Sequence, residues 1–208
     1  SLEDEKSNCF VKEGKIHLCL EDREEDVLPV EELQLKGKHN LSNVLAAVLM
    51  AGLYGISKES MARVLRRFTG LSHRYEILGE KQGRRFINDS KATNLESSLP
   101  ALASAKRPTV LLAGGMDKKV DLKPLFDQWN PQIKQLLVYG EVKKELAALA
   151  EGICPVEIHE NLEESFNRAM ELSSEGWDIL LSPACASWDM YKSFEERGDH
   201  FRELFRSL

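Results

Sequence analysis

Apolar and polar positions near the start of the chain predict a short β-ribbon. Apolar runs at 8–11 and 15–20 flank Lys12-Glu13-Gly14, a sequence typical of a hairpin turn. The acidic run from Glu21 to Asp26 follows, and because it lacks apolar positions we expect a solvated connection there. This part of the chain therefore predicts two paired strands and a polar loop.

Two amphipathic helices are predicted after this ribbon. Apolar residues recur at helical spacing over 41–53 and again over 61–68. Gly55 is placed to end the first helix, and Ser57 is placed to cap the second. A ribbon and two helices form a poor core by themselves, so residues 1–70 are interpreted as one region that is incomplete alone.

From residue 71 to 208 the pattern changes to strands that alternate with helices. Such alternation predicts an α/β fold with a Rossmann-like, doubly wound and mostly parallel sheet covered by helices on both faces. The predicted strands lie at 86–87, 109–113, 136–139, 156–158 and 177–181, and the predicted helices lie at 95–105, 122–129, 142–149, 162–172 and from about Met190 to Phe205. Asn161 and Glu164 resemble a capping box.

Three polar segments follow predicted strands and should meet at one edge of the sheet. They are 88–94, 114–119 and 182–189, and ligands bind at the carboxyl ends of strands in such sheets. The segments contain lysines, hydroxyls and glycines that allow backbone N–H groups to approach a ligand. This edge suits a small dianion, such as a dicarboxylic acid or a phosphate.

Each of these residues also has an ordinary structural interpretation. Gly114-Gly115 alone favours a tight turn, and exposed lysines such as Lys118 and Lys119 are usually only solvated. Several other polar-segment and first-helix residues belong to types that are common at turns and helix caps, and this would explain them without a ligand. They are Asn40, Asn43, Asp89, Ser90, Ser182, Pro183 and Ser187.

Cysteines and histidines offer little chemistry by their spacing. Cys9, Cys19, Cys154 and Cys185 form no C-x-x-C pair, so we expect reduced structural thiols. Cys185 could have a lowered pKa near a helix start, but it has no evident His–Asp partner and a nucleophilic role is disfavoured. The five histidines form no metal motif, and no metal site is predicted.

Composition narrows the function classes. The 28 Lys and Arg against 34 Asp and Glu give a formal charge of −6, which disfavours a nucleic-acid binder. No apolar stretch is long enough for a membrane span and no signal peptide is evident, so we expect a cytoplasmic protein without a membrane partner. The chain has neither a G-x-x-x-x-G-K-[ST] loop nor a G-x-G-x-x-G fingerprint.

Four motifs give the chain a resemblance to the Mur ligases, in that family's order and spacing. Two of these motifs are shared loosely across the family, and the other two resemble its D-glutamate-adding branch. The motifs are Gly37 to Asn43, Phe68 to Glu76, Asn88 to Asn94, and Ser182 to Asp189 with Phe194 to Gly198.

The resemblance implies the C-terminal half of a three-domain enzyme of peptidoglycan synthesis. Residues 71–208 would be the C-terminal Mur ligase domain, which binds the amino acid, and residues 1–70 the tail of the central ATP-binding domain. ATP and Mg²⁺ would convert a carboxylate of UDP-N-acetylmuramoyl-L-alanine into an acyl phosphate, and the amine of D-glutamate would attack it.

The same resemblance implies that other parts of the enzyme precede Ser1. The phosphate loop, the magnesium ligands and the UDP-binding domain would lie there, so this chain is expected to be inactive alone. The apolar faces of the 41–53 and 61–68 helices are expected to make it self-associate as a dimer or remain partly mobile, whereas the full-length enzyme is expected to be a monomer.

Residue roles are carried over from the matching motifs. Asn40 and Asn43 would border the adenine, Arg74 would contact the nucleotide, and Asp89 would hold its ribose. Lys91 would be catalytic, near the transferring phosphoryl group.

The D-glutamate pocket would be formed by Thr93, Lys118, Ser187, Trp188 and Phe194. Lys119 competes with Lys118, because Gly-Gly-Met-Asp-Lys-Lys departs from the glycine-richer loop of the family.

Two other functions stay open at this point. The chain could belong to another Mur ligase or a folylpolyglutamate synthase relative, or it could be a stand-alone module that binds small anions. A phosphate loop encoded upstream would favour a ligase, and a nearby start codon would favour the module.

Overall fold

The computed structural model describes residues 7–21, 23–35 and 37–208. Contacts divide the chain into two compact units, Ser1–Gly70 and Leu71–Leu208. The first unit contains a three-stranded antiparallel sheet of order β1-β2-β3, a 3-10 turn and two helices. Its elements are β1 (Cys9–Lys12), β2 (Lys15–Leu20), β3 (Arg23–Pro29), α1 (Lys38–Leu53) and α2 (Lys58–Arg67).

The predicted hairpin is confirmed, but the predicted solvated connection over 21–26 is wrong. β1 and β2 pair across a turn in which Glu13 and Gly14 have positive φ angles of 49° and 75°. Most of the acidic run belongs to β3, which pairs with β2 through its backbone and buries Val27 and Leu28 at its end. An edge strand needs partners only for its main chain, so charged side chains can alternate towards solvent.

Both predicted helices of the first unit are present. Ser57 caps α2, since its Oγ accepts a hydrogen bond of 3.3 Å from the N–H of Ser60. Gly55, with φ of 75°, follows the end of α1. The two helices and the sheet share one apolar core, although Leu53 and Val64 are 69% and 62% exposed.

The second unit is built on a six-stranded sheet of order β4-β5-β9-β6-β7-β8. All neighbouring strands from β5 to β8 are parallel, and β4 is antiparallel at one edge, which confirms the α/β prediction with a mostly parallel sheet. The elements are β4 (Glu76–Lys81), β5 (Arg84–Asn88), α3 (Leu95–Ala103), β6 (Thr109–Gly114), α4 (Pro124–Asp127), β7 (Ile133–Tyr139), α5 (Lys143–Leu149), β8 (Val156–Ile158), α6 (Leu162–Leu172), β9 (Asp178–Leu181) and α7 (Phe194–Ser207).

Alternate residues of the parallel strands face two separate cores. Ile87 and Leu111 point to a core covered by α3, α4 and α5, whereas Phe86 and Val110 point to one covered by α6 and α7. Because both faces are covered, the strands contain nearly continuous apolar runs, as expected for a parallel sheet. Strand β4 was not predicted, because it is half exposed and Gly79 ends its apolar positions after Ile77 and Leu78.

The residues that cap the helices of the second unit are not Asp89 and Ser187, for which a capping role was one interpretation. Asn94 caps α3, Asn161 caps α6 as predicted, and Ser193 caps α7. Asp89 and Ser187 are therefore not caps, and both are available for other contacts. Helix α7 begins at Phe194, so the predicted start near Met190 is four residues too early.

Within the described residues, we find no helix with the length and apolarity needed to cross a bilayer.

Candidate functional site

The three predicted polar segments lie side by side, because β5, β9 and β6 are neighbours in the sheet. The N–H of Asp89 donates to the carbonyl of Leu181, and the N–H of Gly114 donates to the carbonyl of Pro183, at 2.8 and 2.9 Å. The N–H of Met116 continues this pairing by donating to the carbonyl of Ala186. These main-chain bonds hold the segments 88–94, 114–119 and 182–189 together as one surface at the strand ends.

Gly114 and Gly115 allow this close approach. Their φ angles are 129° and 140°, a region that only glycine adopts readily. A Cβ atom would lie 2.0 Å from the Tyr139 carbonyl oxygen at position 114 and 2.2 Å from the Ala186 carbonyl oxygen at position 115. The glycine pair therefore does more than make a tight turn, since it brings the 114–119 segment onto its neighbours.

A cavity of about 110 Å³ opens between these segments. Its wall includes Thr93 on one side and Lys118 on another, with Cys185 also in its lining. The Nζ of Lys118 lies 3.5 Å from the Thr93 carbonyl oxygen and 5.6 Å from the centre of the Trp188 ring. The cavity thus has the Lys118 ammonium group at its wall, together with several apolar residues and the acidic residues Glu96, Asp117 and Asp121.

Lys119 has different surroundings from Lys118. Its ammonium group pairs with Asp117, and its side chain is 85% exposed. That ion pair raises the pKa of Lys119 and lowers the pKa of Asp117. Of the two competing lysines, Lys118 is the one that lines the cavity.

Ser187 carries an unpaired hydroxyl within the described residues. The residue is 2% exposed, and its Oγ has no hydrogen-bond partner there. A buried hydroxyl without a partner costs free energy unless a ligand or water satisfies it. It lies two residues beyond Cys185 in the same loop but, unlike Cys185, it is not among the residues that line the cavity.

Lys91 and Phe194 form a second cation–aromatic pair. The Nζ of Lys91 is 4.3 Å from the centre of the Phe194 ring, while the N–H of Lys91 donates to the His73 carbonyl at 2.9 Å. Phe194 is the first residue of α7, so this contact places the lysine beside the start of that helix. Lys91 and Lys118 thus each lie over an aromatic ring that was also predicted to be in the site.

Asp89 is buried and its side chain accepts two hydrogen bonds. Its Oδ1 accepts from the N–H of Tyr75 at 3.0 Å, and its Oδ2 accepts from the hydroxyl of Ser182 at 2.9 Å. Burial raises the pKa of Asp89 to about 6, although both hydrogen bonds and the exposed Arg74 nearby act in the opposite direction. Each carboxylate oxygen keeps a further lone pair that could accept from a ligand hydroxyl.

Asn40 and Asn43 lie in α1, in the first unit. Asn43 is exposed and Asn40 is half-buried, and neither caps the helix, which begins two residues before Asn40. Their nucleotide contacts stay predictions.

Sequence reasoning missed several buried polar residues beneath this surface. Arg197 is fully buried and contacts all three segments, although its motif was recognised. Asn88 is also fully buried and donates to the Gly198 carbonyl and to His73 Nδ1. A buried arginine looks like any exposed arginine in a sequence, so no local signal identifies it.

The described residues support neither a reactive cysteine nor a metal site. All four cysteines lie in the described part of the chain and none of them is in a disulfide, as predicted. Burial raises the pKa of Cys185 to about 12, which contradicts the alternative of an activated nucleophile. Within the described residues there is no group of three or more His, Cys, Asp or Glu residues that could hold a metal ion.

Comparison with known proteins connects this site to a family. The family described as "Mur ligase, glutamate ligase domain" matches residues 73–185, which is more than half of the chain. A UDP-N-acetylmuramoylalanine--D-glutamate ligase from Latilactobacillus sakei is 46% identical over 205 residues, covering 98% of this chain and 44% of the relative. The chain therefore spans less than half the length of that relative.

Solved structures share the fold at low identity. The UDP-N-acetylmuramoylalanyl-D-glutamyl-2,6-diaminopimelate--D-alanyl-D-alanyl ligase from Acinetobacter baumannii is 17% identical, with a TM-score of 0.65 over 98% of this chain and 45% of that one. The bifunctional folylpolyglutamate synthase/dihydrofolate synthase from Yersinia pestis is also 17% identical, with a TM-score of 0.63 over 96% and 46%. The fold alone does not separate these enzymes, but the family match and the strand-end motifs agree, and this chain belongs to the Mur ligase family through its glutamate ligase domain.

Proposed function

We propose that this chain is the C-terminal part of an ATP-dependent ligase that joins D-glutamate to UDP-N-acetylmuramoyl-L-alanine in peptidoglycan synthesis. The observation that carries the proposal is the strand-end surface, where Lys118, Thr93 and the unpaired hydroxyl of Ser187 come from three neighbouring loops. A relative named as this ligase matches nearly the whole chain at 46% identity, which supports the choice among Mur ligases.

D-Glutamate has two carboxylates and one amine. The amine is the attacking group, so the carboxylates must be held in a way that fixes its direction. Lys118 offers a charge for one carboxylate, and the hydroxyls of Thr93 and Ser187 offer hydrogen bonds that fix its orientation. Trp188 and Phe194 border the lysines, where their rings restrict the positions of the ammonium groups.

Asp89, Arg74 and Lys91 are the residues of the second unit that we propose to contact the nucleotide. Asp89 has free lone pairs for the ribose hydroxyls, and Arg74 is exposed beside it. Lys91 supplies a positive charge that would stabilise the negative charge developing on a transferred phosphoryl group. ATP and Mg²⁺, when bound, supply the activation of the substrate carboxylate.

The described residues fit only part of the ATP site. They offer a buried carboxylate and lysines, but within them we see neither a glycine-rich phosphate loop nor an acidic metal cluster. We therefore propose that the principal ATP and Mg²⁺ ligands belong to another part of the protein, and that the 208-residue chain alone does not ligate. We place the reaction in the cytoplasm, where ATP is available.

A ligation assay on the full-length protein tests this function. With ATP, Mg²⁺ and UDP-N-acetylmuramoyl-L-alanine, we expect phosphate release and amide formation with D-glutamate and not with L-glutamate, and no turnover by the 208-residue chain. Use of a different amino acid, or of a folate substrate, would contradict the proposal in favour of another ligase of this fold. Binding of D-glutamate without ligation by the full-length protein would favour a binding module.

A further inference from the structure

Arg197 occupies a central position beneath the candidate site. It is the fourth residue of α7 and is 0% exposed. Its Nε donates to the hydroxyl of Ser90 at 3.0 Å, and its Nη2 donates to the Ser90 and Cys185 carbonyls at 2.9 and 3.0 Å. Its Nη1 lies 3.4 Å from the Gly114 carbonyl. One guanidinium group therefore contacts the loops that follow β5 and β9 and the last residue of β6.

The charge of Arg197 is not neutralised by direct contact. Within the described residues it forms no ion pair with a carboxylate, and all its acceptors are neutral oxygen atoms. A fully buried arginine without an acidic partner is unusual, because removing its charge from water is costly. A planar group with five donors in fixed directions can, however, join several backbone carbonyls in one plane.

The contacted segments are the ones that carry the proposed site residues. Ser90 immediately precedes Lys91, Gly114 lies four residues before Lys118, and Cys185 lies two residues before Ser187. On the assumption that the proposed function is correct, we propose that Arg197 is a positioning residue that fixes these three segments, so that Lys118 and the Ser187 hydroxyl are held for one D-glutamate molecule and Lys91 is held for the phosphoryl group.

Substitution by lysine separates geometry from charge. Arg197→Lys keeps the positive charge but replaces the planar fork by one ammonium group, which cannot reach acceptors on all three segments together. Arg84 provides a matched control, because its guanidinium also bonds to neutral oxygens of Gln82, Met170 and Ser173. It lies at the start of β5, at the sheet edge opposite the site.

Steady-state kinetics of the full-length proteins provide the first test. We expect Arg197→Lys to raise the KM for D-glutamate by about tenfold or more, with the KM for UDP-N-acetylmuramoyl-L-alanine changed by less than about twofold. Arg84→Lys should change both by less than about twofold. An unchanged KM for D-glutamate in folded Arg197→Lys, or an equal rise in Arg84→Lys, would overturn the proposal.

Amide hydrogen exchange on the same proteins does not depend on the substrate. Arg197→Lys should speed exchange within 88–94, 114–119 and 182–189, whereas Arg84→Lys should speed it near 82–84 and 170–173. If the parent enzyme rejects D-glutamate, the proposed function fails, and the exchange pattern still decides the role of Arg197. Unchanged exchange, or faster exchange throughout the sheet, would refute a positioning role.

A second variant covers the case in which Arg197→Lys does not fold. Ser90→Ala removes the hydroxyl acceptor of the guanidinium, together with the hydrogen bond of 2.7 Å that this hydroxyl donates to the Phe194 carbonyl, and leaves the three carbonyl acceptors of Arg197. We expect a rise of about threefold in the KM for D-glutamate and faster exchange confined to 88–94. No change in either measurement would contradict the proposal.

Discussion

The hydroxyl of Ser182 donates a hydrogen bond of 2.9 Å to Oδ2 of Asp89, although 93 positions separate the two residues in the sequence. This bond joins the loop after β9 to the loop after β5. It stabilises the charged carboxylate, and so does the N–H of Tyr75, but burial has the larger effect and raises the pKa of Asp89 to about 6. The carboxylate therefore changes charge slightly below neutral pH.

Asp89→Asn is expected to change how stability depends on pH. The folded pKa of Asp89 exceeds the ordinary value, so the folded state binds more protons between about pH 4 and pH 6, and the free energy of unfolding rises as pH falls through that window. Asp89→Asn should remove this rise, and near pH 7.5 it should be as stable as the parent or more stable by up to about 3 kcal/mol. Urea unfolding at several pH values measures this.

Asp117→Asn is the matched control for that experiment. The pKa of the half-buried Asp117 is lowered by Lys119, so Asp117 contributes to the free energy of unfolding above its ordinary pKa, and this contribution is lost as pH falls. A parent-like pH profile in Asp89→Asn would show that Asp89 is not the titrating group.

Lys118→Ala is expected to weaken D-glutamate binding, and Lys119→Ala is not. Only Lys118 of this pair lines the cavity, while Lys119 pairs with Asp117 in solvent. Losing a cation opposite a carboxylate should raise the KM for D-glutamate by about tenfold to a hundredfold, without affecting the KM for the UDP substrate. Steady-state kinetics of the two full-length variants compare them directly, and the reverse ranking would transfer the role to Lys119.

Ser187→Ala should weaken D-glutamate binding without lowering the free energy of unfolding. Because its hydroxyl is buried and unpaired within the described residues, its removal should leave the free energy of unfolding unchanged or raise it by about 1 kcal/mol. The KM for D-glutamate should still rise, by about fivefold or more. Chemical denaturation and kinetics measure the two effects.

Ser98→Ala is the control, since Ser98 also carries a buried, unpaired hydroxyl among the described residues but lies on α3 and outside the three strand-end segments. It should reproduce the stability effect and leave the KM unchanged. A marked loss of stability in Ser187→Ala would indicate that the hydroxyl has a structural partner.

Gly115→Ala should be strongly destabilising. Its added Cβ would lie 2.2 Å from the Ala186 carbonyl oxygen, so the loops after β6 and β9 would have to separate. We expect a loss of more than about 2 kcal/mol in the free energy of unfolding, together with loss of D-glutamate binding.

Gly152→Ala measures the cost of a positive φ angle at a position where the added Cβ meets no other atom. Gly152 has φ of 76°, and a Cβ added there would meet no atom within 4 Å. It should therefore lose only about 1 kcal/mol. Equal losses of unfolding free energy in the two variants would show that the φ angle, and not the contact between loops, makes Gly115 necessary.

Local patterns predicted the framework of the second unit well. Apolar runs such as Thr109 to Ala113 are long enough to mark buried strands, and Asn161 with Glu164 marked a helix start. Strands β3 and β4 were missed because each has a solvated face and charged or glycine residues within it. Their backbone pairing depends on a neighbouring strand, which no short window contains.

The candidate site was predictable only as a set of strand-end loops. Parallel strands bring their carboxyl ends together, so the meeting of the 88–94 and 182–189 segments followed from topology. The distinction between Lys118 and Lys119 did not, because it depends on which side chain finds Asp117. Arg197 was unpredictable for a similar reason, since its acceptors include backbone carbonyls from distant loops.

The position of β9 has a consequence for how the protein assembles. β5 and β6 do not pair with each other, and β9, the last strand in the chain, lies between them. Until the chain has been synthesised through Leu181, the β4–β5 hairpin and the β6-β7-β8 half have no common strand. A truncated or nascent chain that ends before this strand lacks Ser182 and Cys185, so it can form neither the Asp89–Ser182 contact nor the complete cavity wall, and the binding surface can form only after β9 has been synthesised.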